Sequence, residues 1–217
     1  MMRYGNERRV YKIDSFIPSG NYPRKQDTPK ESYLFCPQCE NQIFANKLET
    51  PIVNSFYNNF YNPTAFFGVN ILNKLHYRNY WNTDYKLFKQ FVYLQLFRAH
   101  VSTLDDFIDV KLTDSQVNLL KNSLKEDFTD IPLLVITCDQ INEASANVQF
   151  CTFFDRGTYI MWINDFIYVI FFPESMYTLF ERFRDGFCQD GMTRIVSVDL
   201  ASWNNFKSMW FSIVAKY

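Results

Sequence analysis

Cys36-Pro37-Gln38-Cys39 is the one stretch of this 217-residue chain whose residue types and spacing match a recognised chemistry. Two thiolates two residues apart on a tight turn can take two corners of a tetrahedral zinc site. The other candidate ligands, Cys138, Cys151, Cys188, His76 and His100, are not paired at comparable spacing. Zinc is therefore expected here only with ligands drawn from distant segments or another subunit. The default reading is two reduced cysteines in a turn. A thioredoxin-like redox role places the motif at the start of a helix after a strand in a βαβ unit, a context the flanking sequence does not offer. An HNH nuclease needs histidine to activate water, and none precedes His76, so that assignment is rejected.

Asp109-Val110-Lys111 imitates the Asp/Glu-x-Lys element of metal-dependent nucleases, with Asp84 as the upstream carboxylate. There a carboxylate holds Mg²⁺ and the lysine stabilises developing charge from the same strand edge. Thr103 and Asp106 have capping-box spacing, which favours a short helix across the same residues. Arg98 lies on the most apolar helix and demands a carboxylate or carbonyl partner, so it is expected to form an internal ion pair that fixes helix packing. His100, two residues on, falls on a different face. No Walker sequence and no Gly-x-Ser-x-Gly elbow occurs.

Charge is segregated although the net charge is only −1. Residues 1–30 carry seven basic side chains against three acids, whereas residues 103–130 carry seven acids against three lysines. Arg3, Arg8, Arg9, Arg24 and Lys25, interleaved with Tyr4, Tyr11, Tyr22 and Tyr33, read as a basic arm that contacts a partner. Another protein is the expected partner. Single-stranded nucleic acid, with tyrosines stacking on bases, is the alternative.

The elements that must position these residues come from periodicity. Residues 1–35 read as an extended arm with at most one strand near 10–13. A helix is expected from Thr50 as N-cap, with Pro51 at its first position and Asn62-Pro63 at its end. A second helical stretch is expected around Phe67, Ile71, Leu72 and Leu75. The helix over 83–100 is apolar nearly all round and so belongs in the centre. Thr113 and Gln116 open another through about 125. After Pro132 the pattern turns to strands at 133–138, 148–154, 159–163 and 166–172, joined by short Gly-, Asn- or Asp-containing separators typical of hairpins. Both parities of the last run are apolar, so both sheet faces should be covered. A helix over 174–184, a strand over 194–198 and a final helix capped by Asp199 complete the pattern. The fold class is α+β in one domain: an arm (1–35), a mainly helical half (36–130) packed on a mainly antiparallel sheet, and a C-terminal helix (131–217).

The order of features resembles a group of uncharacterised bacterial proteins of similar length. The matching residues are Cys36, Cys39 and Glu40, then Phe97-Arg98 closing an aromatic-rich helix, then the hairpin-rich stretch 148–172. The group has no established activity, so the resemblance transfers no catalytic residue. It implies only the company of mobile elements and phage-defence loci.

A hydrophobic content of 47% with few Gly and Pro describes a globular chain that needs neither disulfides nor metal to build a core. Met1 to Arg9 leads into no apolar leader, and five cysteines without one suggest reduced thiols in a cytoplasm. No run is long enough to span a membrane. The expectation is a cytoplasmic interaction or regulatory protein, in the setting of phage–host conflict, with a Cys-x-x-Cys turn that can hold zinc. The alternatives are a nuclease or nuclease-like toxin using Asp84, Asp109 and Lys111, and nucleic-acid binding through the arm.

Overall fold

The computed structural model describes residues 10–11, 24–25, 34–60, 66–72, 75–80, 83–104, 107, 110–125, 128–138, 149–155, 157–163, 166–175, 186–188, 191–199, 201 and 204. In the arm, β1 (Val10–Tyr11) pairs antiparallel with β2 (Arg24–Lys25), Val10 opposite Lys25. The expected strand near Val10 is thus one side of a two-residue ladder.

The first helical segment starts earlier than expected. Pro37 and Gln38 are already helical, and a wide π-helical stretch, Cys39–Glu49, leads directly into α1 (Thr50–Ser55). Thr50 is therefore no N-cap: it lies within the rod, and its N–H donates back five residues to Ala45. Pro51, which has no N–H to donate, stands in the first turn of the α-helical part that follows. A 3₁₀ turn, Tyr57–Asn59, follows.

The helix expected around Phe67 to Leu75 is instead a hairpin. β3 (Phe66–Leu72) pairs antiparallel with β4 (Leu75–Tyr80), with an irregularity between Phe67 and Val69. Phe67, Ile71, Leu72 and Leu75 satisfy a helical spacing. However, the run is rich in aromatic and β-branched residues, which suit a pleated surface once a neighbouring strand exists. That neighbour comes from far along the chain.

α2 (Tyr85–Val101) is central as expected, with Phe88, Phe91, Val92, Leu94, Leu96 and Ala99 all buried. Beyond α2 the Phe107 N–H donates to the Leu104 carbonyl and the Val110 N–H to the Phe107 carbonyl. α3 (Asp114–Ser123) begins with a complete capping box between Thr113 and Gln116. The remaining strands are β5 (Leu133–Cys138), β6 (Gln149–Asp155), β7 (Thr158–Ile163), β8 (Phe166–Phe171), β9 (Phe187–Cys188) and β10 (Thr193–Val198). The expected helices over 174–184 and after Asp199 lie outside the described residues apart from 174–175, 199, 201 and 204.

Among the described residues, β3 to β10 make one eight-stranded sheet in the order β3-β4-β10-β5-β8-β7-β6, with β9 paired to the first half of β5. The β10–β5 pairing is parallel and the others are antiparallel, so the sheet is mixed. It is not confined to the C-terminal part, since β3 and β4 belong to the half expected to be mainly helical. The class remains α+β. Both faces are buried: Phe166, Tyr168 and Ile170 join the cluster that includes α1 and α2, while Ile167, Val169 and Phe171 join a second cluster with Trp162 and Val196. Among the described residues, no helix is long and apolar enough to cross a membrane.

Candidate functional site

Cys36 and Cys39 sit at the amino-terminal end of the helical rod rather than on an isolated turn. The Cys36 carbonyl accepts the Glu40 N–H at 3.0 Å, and the Cys36 sulfur accepts the Cys39 N–H at 3.3 Å. Pro37 explains the position, because its fixed φ and missing N–H suit a first helical residue. Cys36 is exposed and Cys39 partly covered. A hydrogen bond from the Cys39 thiol, then the Cys39 N–H, holds the Cys36 thiol below its ordinary pKa. The same thiol–thiol bond, then burial, pushes Cys39 upward. Just before the motif, Phe35 packs edge-on against Phe44 at 5.0 Å and lies 5.9 Å from Phe97 of α2.

Behind the motif stands the ion pair expected of Arg98. Its Nη2 donates to Glu40 Oε1 at 2.6 Å and its Nη1 to Glu49 Oε1, while the guanidinium lies 5.7 Å from the Phe44 ring centre. Gln95 adds a bond to Glu49 at 3.4 Å. Nine residues separate the two glutamates. At 3.6 residues per turn that is about two and a half turns, which would put them on opposite faces. In the wider i→i+5 ladder it is about two turns, so both face α2. Glu49 is drawn upward in pKa by burial, but the Arg98 charge and hydrogen bond leave it below its ordinary value.

As a metal site the pair offers two corners of a tetrahedron. Glu40 beside it is engaged by Arg98. Cys138 and Cys188 are buried in the sheet, His76 is on β4, and His100 uses Nδ1 to accept the Leu112 N–H at 3.1 Å. Among the described residues, no three His, Cys, Asp or Glu side chains are gathered around a common point.

Asp84 and Lys111, two of the three nuclease candidates, are not brought together. Asp84 is the N-cap of α2, its carboxylate accepting the Leu87 N–H at 2.7 Å. Lys111 lies beyond the other end of the same helix, next to the Leu112–His100 bond. The 17 residues of α2 span about 25 Å. Asp109 lies outside the described residues, as do Arg3, Arg8 and Arg9. Arg24 and Lys25 form β2.

One polar cluster escaped the sequence reading altogether. Lys89 on α2 is 1% exposed and donates to Tyr85 Oη at 3.1 Å, to the Cys188 carbonyl at 3.0 Å and to the Asp130 carboxylate. Tyr85 also donates to Asp130. Burial lowers the Lys89 pKa against the opposing pull of Cys188 and Asp130, and burial pushes the Cys188 thiol up to about 11. Asp130 reaches a cleft of about 280 Å³ that Ile131, Pro132, Phe172 and Ser175 also line. Lys89 is not among the cleft's lining residues, and its bonds to Asp130 and to the Cys188 carbonyl join α2 to the approach of β5 and to β9. The arrangement therefore acts as a clamp between helix and sheet. Only the i, i+4 spacing of Tyr85 and Lys89 hinted at it, and that spacing is common.

No family model, no curated protein and no solved structure matches this chain.

Proposed function

We propose that this chain is a binding protein that contacts another protein through the end carrying Cys36 and Cys39, with the basic segment 1–30 leading into it. The observation that carries the reading is an exposed motif on a rigid mount. Cys36, Pro37 and Gln38 face solvent, while Arg98 grips Glu40 and Glu49 from behind and Phe35 is wedged between Phe44 and Phe97. The outward side of the same rod carries Asn41, Gln42, Asn46 and Ile43, the exposed large apolar side chain of the described residues. Ile43 gives that surface an aliphatic anchor among neutral amides, a composition that suits contact with protein, and exposed Lys47 adds a positive charge beside it. The separation of Asp84 from Lys111 gives the nuclease reading no comparable support.

A photo-crosslinking amino acid placed at Gln38, with exposed Asn118 on α3 as control, tests the proposal in cells producing the full chain. A discrete heavier adduct from position 38 and none from 118 is expected. No adduct from position 38, or the same smear from both, would overturn it. Mg²⁺-dependent cleavage of plasmid or RNA that disappears in Lys111→Ala would replace it with the nuclease reading.

A further inference from the structure

We infer that Cys36 and Cys39 form a reversible dithiol–disulfide pair, with Cys36 as the attacking sulfur, Cys39 as the resolving one, and a glutathione-class disulfide as oxidant. The inference is independent of the binding reading and rests on the geometry of the rod's first turn. A two-residue spacing at a helix start brings the Cys39 N–H within 3.3 Å of the Cys36 sulfur, and the two thiols are hydrogen-bonded to each other. The N–H groups of a first helical turn have no partners within the helix, and one of them here is aimed at a sulfur, where it favours thiolate. Exposure divides the roles: Cys36 is open to an incoming disulfide and Cys39 is partly covered. Glu40, whose charge would oppose a neighbouring thiolate, is turned to Arg98, which also holds Glu49. Cys138 and Cys188, by contrast, are buried.

The exchange balances without any further reactant. The Cys36 thiolate attacks one sulfur of the oxidant, its S–S bond breaks, and one thiolate leaves to take up a proton. Cys39 then loses its proton and attacks the Cys36 sulfur of the mixed disulfide, releasing the second thiol. Two protons and two electrons pass from the protein pair to the oxidant.

The test uses purified full-length chain equilibrated over a series of reduced-to-oxidised glutathione ratios, read by mass spectrometry and by peptide-resolved alkylation. Expected are a reversible loss of two hydrogens confined to the Cys36–Cys39 peptide and alkylation of Cys36 about tenfold faster than of Cys39 or Cys188. Cys39→Ser is expected to accumulate the mixed disulfide with glutathione at Cys36, and Cys36→Ser to accumulate little. Circular dichroism checks that each variant is folded. The inference falls if the folded protein forms no internal disulfide at any ratio, or if Cys39 reacts first. It falls equally if both thiols stay shielded by about one zinc per chain until a chelator is added.

Discussion

Arg98 and Glu49 face one another from two different helical segments, and the same guanidinium holds Glu40, so one α2 side chain ties down both ends of the Cys39–Glu49 stretch. Arg98 and Glu49 are only 17% and 15% exposed, so the pair is poorly hydrated and each partner depends on the other. Arg98→Met strands the Glu49 carboxylate and should cost about 3 kcal/mol, read as a lower urea midpoint. Arg98→Lys should recover only part, because a compact ammonium lacks the span by which two separate guanidinium nitrogens reach Glu40 and Glu49. Glu40 is 43% exposed, and solvent screening should hold Glu40→Gln below about 1 kcal/mol.

Acid should weaken the same contact in a defined window. The Glu49 pKa lies below its ordinary value of 4.5 in the folded chain. Between those two values the unfolded chain binds more protons than the folded one, so stability falls as pH falls. The contribution is complete above about 4.5 and is lost as pH drops through the folded value. Urea midpoints measured from pH 6 down to about pH 3 should show this loss, and Glu49→Gln should flatten that part of the curve.

The Lys89–Asp130 pair should be asymmetric. Asp130→Ala leaves an ammonium inside a wall of protein and should cost about 2 kcal/mol, discounted from the fully buried case because Asp130 is 47% exposed. Lys89→Met fills the same space without a charge to desolvate, so its cost should be smaller. Equilibrium unfolding of the two variants checks the order. A larger loss in Lys89→Met would show that the bonds to Tyr85 and Cys188 dominate.

Gly157 is needed for the space it leaves. A Cβ there would lie 2.4 Å from the Ser175 nitrogen and 2.7 Å from the Glu174 carbonyl carbon, both backbone atoms that cannot turn aside. The Gly157 carbonyl accepts from the Phe172 N–H and the Ser175 hydroxyl, each at 2.7 Å, so any shift also strains those bonds. Gly157→Ala should cost about 2–3 kcal/mol in thermal or urea unfolding.

Asp84 should behave as a cap. Asp84→Ala should cost about 1 kcal/mol and Asp84→Asn much less, since an asparagine oxygen can still accept the Leu87 N–H. Neither variant should change any response to Mg²⁺.

By itself the sequence determined the elements whose signals are local. The near-continuous apolar surface of α2, the Thr113–Gln116 capping box of α3, and the runs that became β5 to β8 and β10 are each specified within a window of their own length. It also determined that Arg98 must find a carboxylate or carbonyl partner, because a buried guanidinium left unpaired is costly. Tertiary structure alone decided which acids. Glu40 and Glu49 share it because the wide helical ladder brings residues nine apart to one face. The same holds for β3 and β4, whose helical spacing loses to a strand pairing with β10 more than a hundred residues away, Tyr80 opposite Thr193. Lys89 meets Asp130 and the Cys188 carbonyl in the same way. Such contacts join distant segments through space, and a local pattern carries no record of a partner that only the finished sheet supplies.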